Sequence, residues 1–357
     1  MFLIFFIFKE YFDDLFMEKL KEEKLPPIDA FASRLKDENI PEEDYKHAVE
    51  VYKKFGFKKL EKFVKLYVGL DTTLLCDVFE AFRKICHKEF HLDACNFVSG
   101  ASLSWKAALK MTGVELELIT DRDMYDLINN GIRGGYAGAG FPIAQANNKE
   151  MKSKTFDASS PSTWLYLFDI INQYGNSMCK PLPVSDFKFI KDISQFTKKY
   201  IENIPPMGER GFFFEVTLRY PAKLHDAHNC FPLAPEHIRI SEHDLSKQQK
   251  EMYTSLYGTS KIKLCKKLVT TLNDKKKYVV HFRALQTYLK YGLEIEEVHR
   301  VIEFKQEAFL KVYIEHLTEL RKLSRDAFEK SIWKLMINSI YGMCIFIILL
   351  SINILFL

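Results

Sequence analysis

Apolar and polar positions follow two periods along this chain. Runs with an apolar residue every three or four positions predict helices, and runs that alternate every second residue predict strands. Lys9–Leu25 has the helical pattern and stops at Pro26-Pro27, and Ile28–Lys36 is a short helical stretch. Pro41-Glu-Glu-Asp opens the next helix, with acids at its positive end. Phe57–Phe90 is one long helical run, and Ser102–Met111, Asp121–Asn129 and Glu307–Arg325 read as further helices. Gly211–Tyr220 and Glu297–Phe304 alternate like strands. Leu264–Thr271 and Lys277–Phe282, joined at Asn273-Asp274, read as a basic hairpin. Trp164–Asp169 is continuously apolar up to its terminal acid, the pattern of a buried strand. Helices and strands in this mixture predict an α+β fold.

The stretch Lys330–Gly342 carries the most information. Wound at about 100° per residue, it gathers Lys330, Lys334, Asn338 and Tyr341 on an arc of roughly 80°. Ile332, Trp333, Leu335, Met336 and Ile340 cover the faces suited to a core. Lysines one turn apart repel each other, so the stripe calls for an anionic ligand such as a triphosphate, or else for solvent.

Composition adds little until charge is localised. The chain has 357 residues and a net charge of only +4. Between Lys247 and Lys290, however, eleven Lys/Arg stand against two Asp/Glu. A block of that kind is either a solvated lysine-rich surface or a contact for a polyanion such as nucleic acid. Cys76, Cys86, Cys95, Cys179, Cys230, Cys265 and Cys344 are odd in number, scattered, and without a Cys-x-x-Cys pair. They argue against a zinc ribbon or a disulfide framework and for reduced thiols inside a cell. Met1–Phe8 and Met343–Leu357 are almost wholly apolar. The first lacks the charged start of a signal peptide, and the second falls short of the roughly 18 residues of a spanning helix.

Several motifs can carry chemistry. Tyr67-x-x-x-Asp71 sets a phenol and a carboxylate on one helical face. Gly131-Ile-Arg-Gly134-Gly135 opens a glycine-rich segment through Gly140, where the backbone can approach a phosphate closely. The strand pattern ending at Asp169 runs on to Asn172, Tyr174 and Gly175, so a carboxylate at a strand end is followed by a tight turn.

Lys334-x-x-x-Asn338-Ser339-x-Tyr341-Gly342 resembles the fingers helix of family B DNA polymerases, in the protein-primed branch of phages, linear plasmids and Polinton/Maverick-type mobile elements. Asp169 to Tyr174 has the spacing of that family's first palm motif, although Ile171 and Gln173 replace its usual Asn and Leu. Tyr67 and Asp71 match its third exonuclease motif, and Gly134-Gly135 its connector, with Ile132 where an aromatic is usual. The resemblance runs from about Lys9 to Tyr341.

The resemblance implies DNA-directed DNA synthesis: phosphoryl transfer from a deoxynucleoside triphosphate to a 3′-hydroxyl, with two Mg²⁺ ions. It makes Asp169 and Lys334 catalytic. It places Tyr174, Lys322, Lys330, Asn338, Ser339, Tyr341 and Gly342 at the nucleotide, with Tyr174 excluding a 2′-hydroxyl. Asp169 and Asp71 become metal ligands, Tyr67 and Asp71 an exonuclease remnant, and Gly134, Gly135, Lys275, Lys276 and Lys277 contacts to DNA. Partners would be template, primer, deoxynucleotides and a priming terminal protein. The setting would be intracellular and soluble, the nucleus in the case of a mobile element.

The implied organisation is an exonuclease remnant over 9–100, a connector over 101–150, a palm with antiparallel sheet and a priming-type insertion over 151–305, and fingers helices over 306–343. Thumb and end of palm are absent, and 1–8 and 344–357 are aberrant apolar ends. No acid follows Glu329, so the second palm carboxylate is missing and no synthesis is expected from the chain as written. A non-catalytic nucleic-acid-binding remnant and a membrane-associated structural protein stay open as alternatives.

Overall fold

In the computed structural model the described residues are 18–32, 38–138, 140, 143–151, 156–258 and 266–355, with the side chains of Glu242 and of 343–355 excepted. Met1–Phe8, the Lys9–Leu25 stretch up to residue 17, the last part of Ile28–Lys36, and the side chains of the apolar tail lie outside them. The chain forms two compact units, Met1–Val98 and Ser99–Leu357.

In the first unit, α1 (Glu42–Lys54) starts after Pro41 with Glu42, Glu43 and Asp44 in its first turn and ends on Lys53 and Lys54. Both charge sets complement the helix dipole. The long α2 (Leu60–Phe90) stops where His91 turns left-handed at φ 52°. Ala48 and Tyr52 of α1 pack on Leu60 and Phe63 of α2. Arg83 clamps Asp93 through two parallel bonds of 2.9 and 2.6 Å, which hold the Asp93 carboxyl well below the usual range.

The second unit opens with α3 (Gly100–Thr112), started by a Ser99/Ser102 capping box and stopped by left-handed Gly113. Then come α4 (Arg122–Gly131), capped by Asp121, and the short α5 (Gln173–Met178). They are followed by β1 (Leu182–Phe189), α6 (Lys198–Glu202), β2 (Arg210–Arg219), β3 (Glu236–Arg239), α7 (Lys247–Tyr257) and β4 (Lys266–Val269). The unit continues with β5 (Lys275–His281), α8 (Phe282–Lys290), β6 (Glu294–Glu307), α9 (Leu310–Leu323) and α10 (Ala327–Leu355).

One antiparallel sheet has the order β1-β6-β2-β5. Side chains alternate across it. Phe212, Phe214, Val216 and Leu218 face Phe282, Leu285 and Leu289 of α8, whereas Val279 and Ile302 face Met124, Leu127 and Ile128 of α4. At one buried point α3, α9 and α10 meet on a hydroxyl: Ser104 Oγ donates to the Met336 carbonyl at 2.7 Å and lies 2.9 Å from the Tyr313 phenol.

Two strand expectations change. β4 does not pair with β5; it pairs with β3, making a separate two-stranded sheet. The Asn273-Asp274 turn signal has another use, because Asp274 Oδ1 accepts from the Tyr220 amide at 2.6 Å and closes the end of β2. Trp164–Asp169 is not a buried strand either. It leaves the isolated bridge Asn147–Thr163 without a ladder partner among the described residues, and Leu167 is 99% exposed. A run apolar on both faces needs sheet neighbours, and the described residues supply none.

Candidate functional site

The face of α10 divides as its sequence dictates. Ile332, Trp333, Met336, Ile337 and Ile340 are buried, while Lys330, Lys334, Asn338 and Tyr341 are exposed on the opposite stripe. Ser339 is half-buried and Gly342 exposed. Leu335, expected in the core, is 55% exposed, since it borders the polar stripe. Among the described residues neither Lys330 nor Lys334 has an anionic side chain against it. Lys322, in the last turn of α9, is held 3.3 Å from Glu319 on its own helix.

A second element reaches this stripe. The rings of Tyr174 on α5 and Tyr341 on α10 stand 4.5 Å apart at 43°. Two aromatic rings from separate motifs thus meet at one place. Local geometry delivers Tyr174 there. Asn172, just before α5, sits left-handed at φ 56°, and a Cβ on Gly175 would come within 2.4 Å of its side-chain nitrogen. Only glycine leaves room for that amide.

Asp169 lies three residues upstream of Asn172, exposed. No cluster of three or more His, Cys, Asp or Glu forms among the described residues, at Asp169 or elsewhere. A pair of Mg²⁺ ions needs several shared carboxylates, and without such a cluster the described residues do not fit one. In the first unit Tyr67 and Asp71 stand one turn apart on α2, both half-buried. They too lack a cluster of metal-ligating side chains among the described residues.

The basic candidates separate. Lys275 is fully buried: its ammonium donates to Glu236 at 2.8 Å, to the Thr271 hydroxyl at 2.7 Å and to the Thr271 carbonyl at 3.1 Å. All three donors are used, so Lys275 ties the small sheet to β5 and does not present a charge to solvent. The register slips between Val216–Tyr278 and Leu218–Lys275. The slip bulges Lys276 and Lys277 outward, and Lys277 takes φ 48°. Gly134 and Gly135 are exposed, and a Cβ on either would meet open space. The fold itself does not require glycine there.

The sequence matches the family "DNA polymerase type B, organellar and viral" over residues 7–343. The chain belongs to that family. This type B polymerase chain is also similar to solved structures of phi29 DNA polymerase. One, an orthorhombic crystal form, is 14% identical with TM-score 0.39; the match covers 89% of this chain and 42% of that one. Another, bound to primer-template DNA, is 14% identical with TM-score 0.38, over 69% of this chain and 35% of that one. The chain therefore spans well under half the length of these structures. No curated protein matches it. Among the described residues no helix is long and apolar enough to cross a membrane.

Three residues near these candidates take roles that the sequence pattern does not show. Asn172 fixes the turn before Tyr174, and its left-handed backbone has no mark beyond residue type. Ser104 seats α10, and only tertiary packing shows it. Arg133, inside the Gly131–Gly135 run, bonds to the Val279 carbonyl 146 residues away, a contact with no local mark.

Proposed function

We propose that this chain carries the nucleotide-selecting part of a template-directed DNA polymerase, protein-primed in type. The observation that supports it most is the Tyr174–Tyr341 ring pair at the end of an exposed Lys330–Lys334–Asn338 stripe. The sugar of a deoxynucleoside triphosphate packs on the rings and its phosphates run along the stripe. Lys334 neutralises triphosphate charge, with Lys330 and Lys322 further out. Asn338, Ser339 and Gly342 line the pocket. Tyr174 fills the space a 2′-hydroxyl would need. The family typically uses divalent metals, and Asp169 offers one carboxylate toward them. Lys276, Lys277 and the Gly134-Gly135 segment receive the DNA backbone. Tyr67 and Asp71 are what is present of a proofreading site. The β3–α7–β4 excursion is the surface for a priming protein: α7 has no buried residue, and Met252, Leu256 and Tyr257 lie exposed on it.

The test is sugar discrimination. With primer-template present, the full chain should bind dATP more tightly than ATP, and Tyr174→Ala should bring the two affinities together. Unchanged discrimination would remove Tyr174 from the sugar site and the pocket with it.

A further inference from the structure

Arg133 makes more contacts than the glycines around it. Its guanidinium carbon lies 3.9 Å from the centre of the Tyr278 ring. Nη1 of the same group donates to the Val279 carbonyl at 2.6 Å and to the Gly131 carbonyl at 3.1 Å. Tyr278 is 4% exposed within the core that faces α8, so packing holds the ring under the guanidinium. At the preceding turn a Cβ on Gly131 would approach Val279 Cγ1 to 3.0 Å, which brings the end of α4 close against β5. One side chain thus grips the edge strand through ring face and carbonyl while tying back the helix end it follows.

Position gives these contacts meaning. Val279 is two residues from Lys277 and three from Lys276, the bulged lysines of the same strand. Gly134 and Gly135 begin at the residue after Arg133. Neither glycine has a positive φ, and neither has a hydrogen bond from its amide to a carbonyl among the described residues. Arg133 therefore fixes where the glycine segment leaves α4 relative to two exposed lysines.

We infer that Arg133 is a positioning residue for DNA: it locks the Gly134-Gly135 segment to β5 through Tyr278 and Val279, so that glycine backbone and Lys276/Lys277 meet one phosphate backbone together. The inference rests on the proposed DNA face and adds how that face is assembled. Arg133 spends Nη1 on two protein carbonyls and its flat face on a ring. Lysine cannot reproduce that combination, because its ammonium is a point charge without a flat face to lie on the ring while it bonds the carbonyls.

The experiment uses the full chain and a fluorescein-labelled single-stranded 20-mer, with anisotropy titrations across a salt series. Arg133→Met should weaken binding about tenfold with the salt slope unchanged, since neutral backbone contacts and not ion pairs are lost. Arg133→Lys should stay equally weak. Tyr278→Phe, which keeps the ring, should bind as the parent does. Tyr278→Leu should match Arg133→Met, and the double variant should be no worse than either. Rescue by lysine, or a slope reduced by about 0.7, would make Arg133 a direct phosphate contact and overturn the inference. Lys276→Gln/Lys277→Gln with Gly134→Val/Gly135→Val tests the face separately. No effect there defeats the DNA reading and the inference with it. A clear effect there, with Arg133 variants like the parent, defeats the inference alone.

Discussion

Lys275→Met separates a buried lysine from its exposed neighbours, and the structure sets the size of the effect. The Lys275 ammonium has no solvent exposure and three acceptors at 2.7–3.1 Å. Removing one partner of a buried ion pair costs about 3–5 kcal/mol. The Glu236 side chain keeps 23% of its exposure, so water can reach it after the change and the lower end, about 3 kcal/mol, applies. With a urea m-value of about 2–3 kcal/mol/M, the midpoint should fall by roughly 1 M or more. Lys275→Met/Glu236→Gln should recover part of the loss, because no unpaired carboxylate remains. The salt slope of DNA binding, measured below the unfolding range, should not change. Lys276→Gln/Lys277→Gln should do the reverse: little change in midpoint, and a slope flattened by about 1.4 on single-stranded DNA. A midpoint shift below about 0.3 M for Lys275→Met would refute the reasoning. So would a slope change like that of the other two.

Three further outcomes follow from single contacts. Burial, with the Arg283 cation beside it, brings the His281 imidazole down to about 4. The unfolded chain takes up that proton first, near pH 6.5, so stability should decline as pH falls from about 6.5 toward 4, by at most about 1.4 kcal/mol per unit. His281→Asn keeps an acceptor at the α8 N-cap and should flatten urea midpoints measured across that window; an unaltered profile would assign the decline elsewhere. Ser104→Ala, at a fully buried hydroxyl, should cost about 1–3 kcal/mol, and a neutral result would show that α10 is seated by apolar packing alone. With Mg²⁺, primer-template and deoxynucleotides, the 357-residue chain alone should extend nothing, since Asp169 belongs to no cluster of three or more metal-ligating side chains among the described residues; measurable primer extension would contradict this.

The parts legible in the sequence are those whose pattern is local. α2, α3 and α4 follow apolar spacing and caps, and β2 and β6 follow alternation. The α10 stripe emerges because lysine, asparagine and tyrosine fall one turn apart on a helix with a packed opposite face. Failures occur where a distant residue decides. Lys275 is the first of three consecutive lysines and is expected at DNA with the other two; Glu236 and Thr271 make it interior. Asn273-Asp274 is a turn signal, but Asp274 serves β2, and the strand before the turn finds β3 instead of β5. Trp164–Asp169 has strand composition without strand neighbours, so pattern alone misplaces it. At Gly134 and Gly135 the sequence suggests a ligand and the fold offers no other reason, whereas at Gly175 the fold supplies the reason in Asn172.

In the proposed function the exposed stripe of α10 binds a nucleoside triphosphate whose sugar rests on the Tyr174–Tyr341 pair. Calorimetric titration of dATP into the full chain with primer-template tests it most directly. Lys334→Ala should weaken binding by about 10- to 100-fold, the worth of one charge-assisted phosphate contact. Glu319→Gln, on the neighbouring helix, should leave it within about twofold. Parent-like dATP affinity in Lys334→Ala would contradict the account.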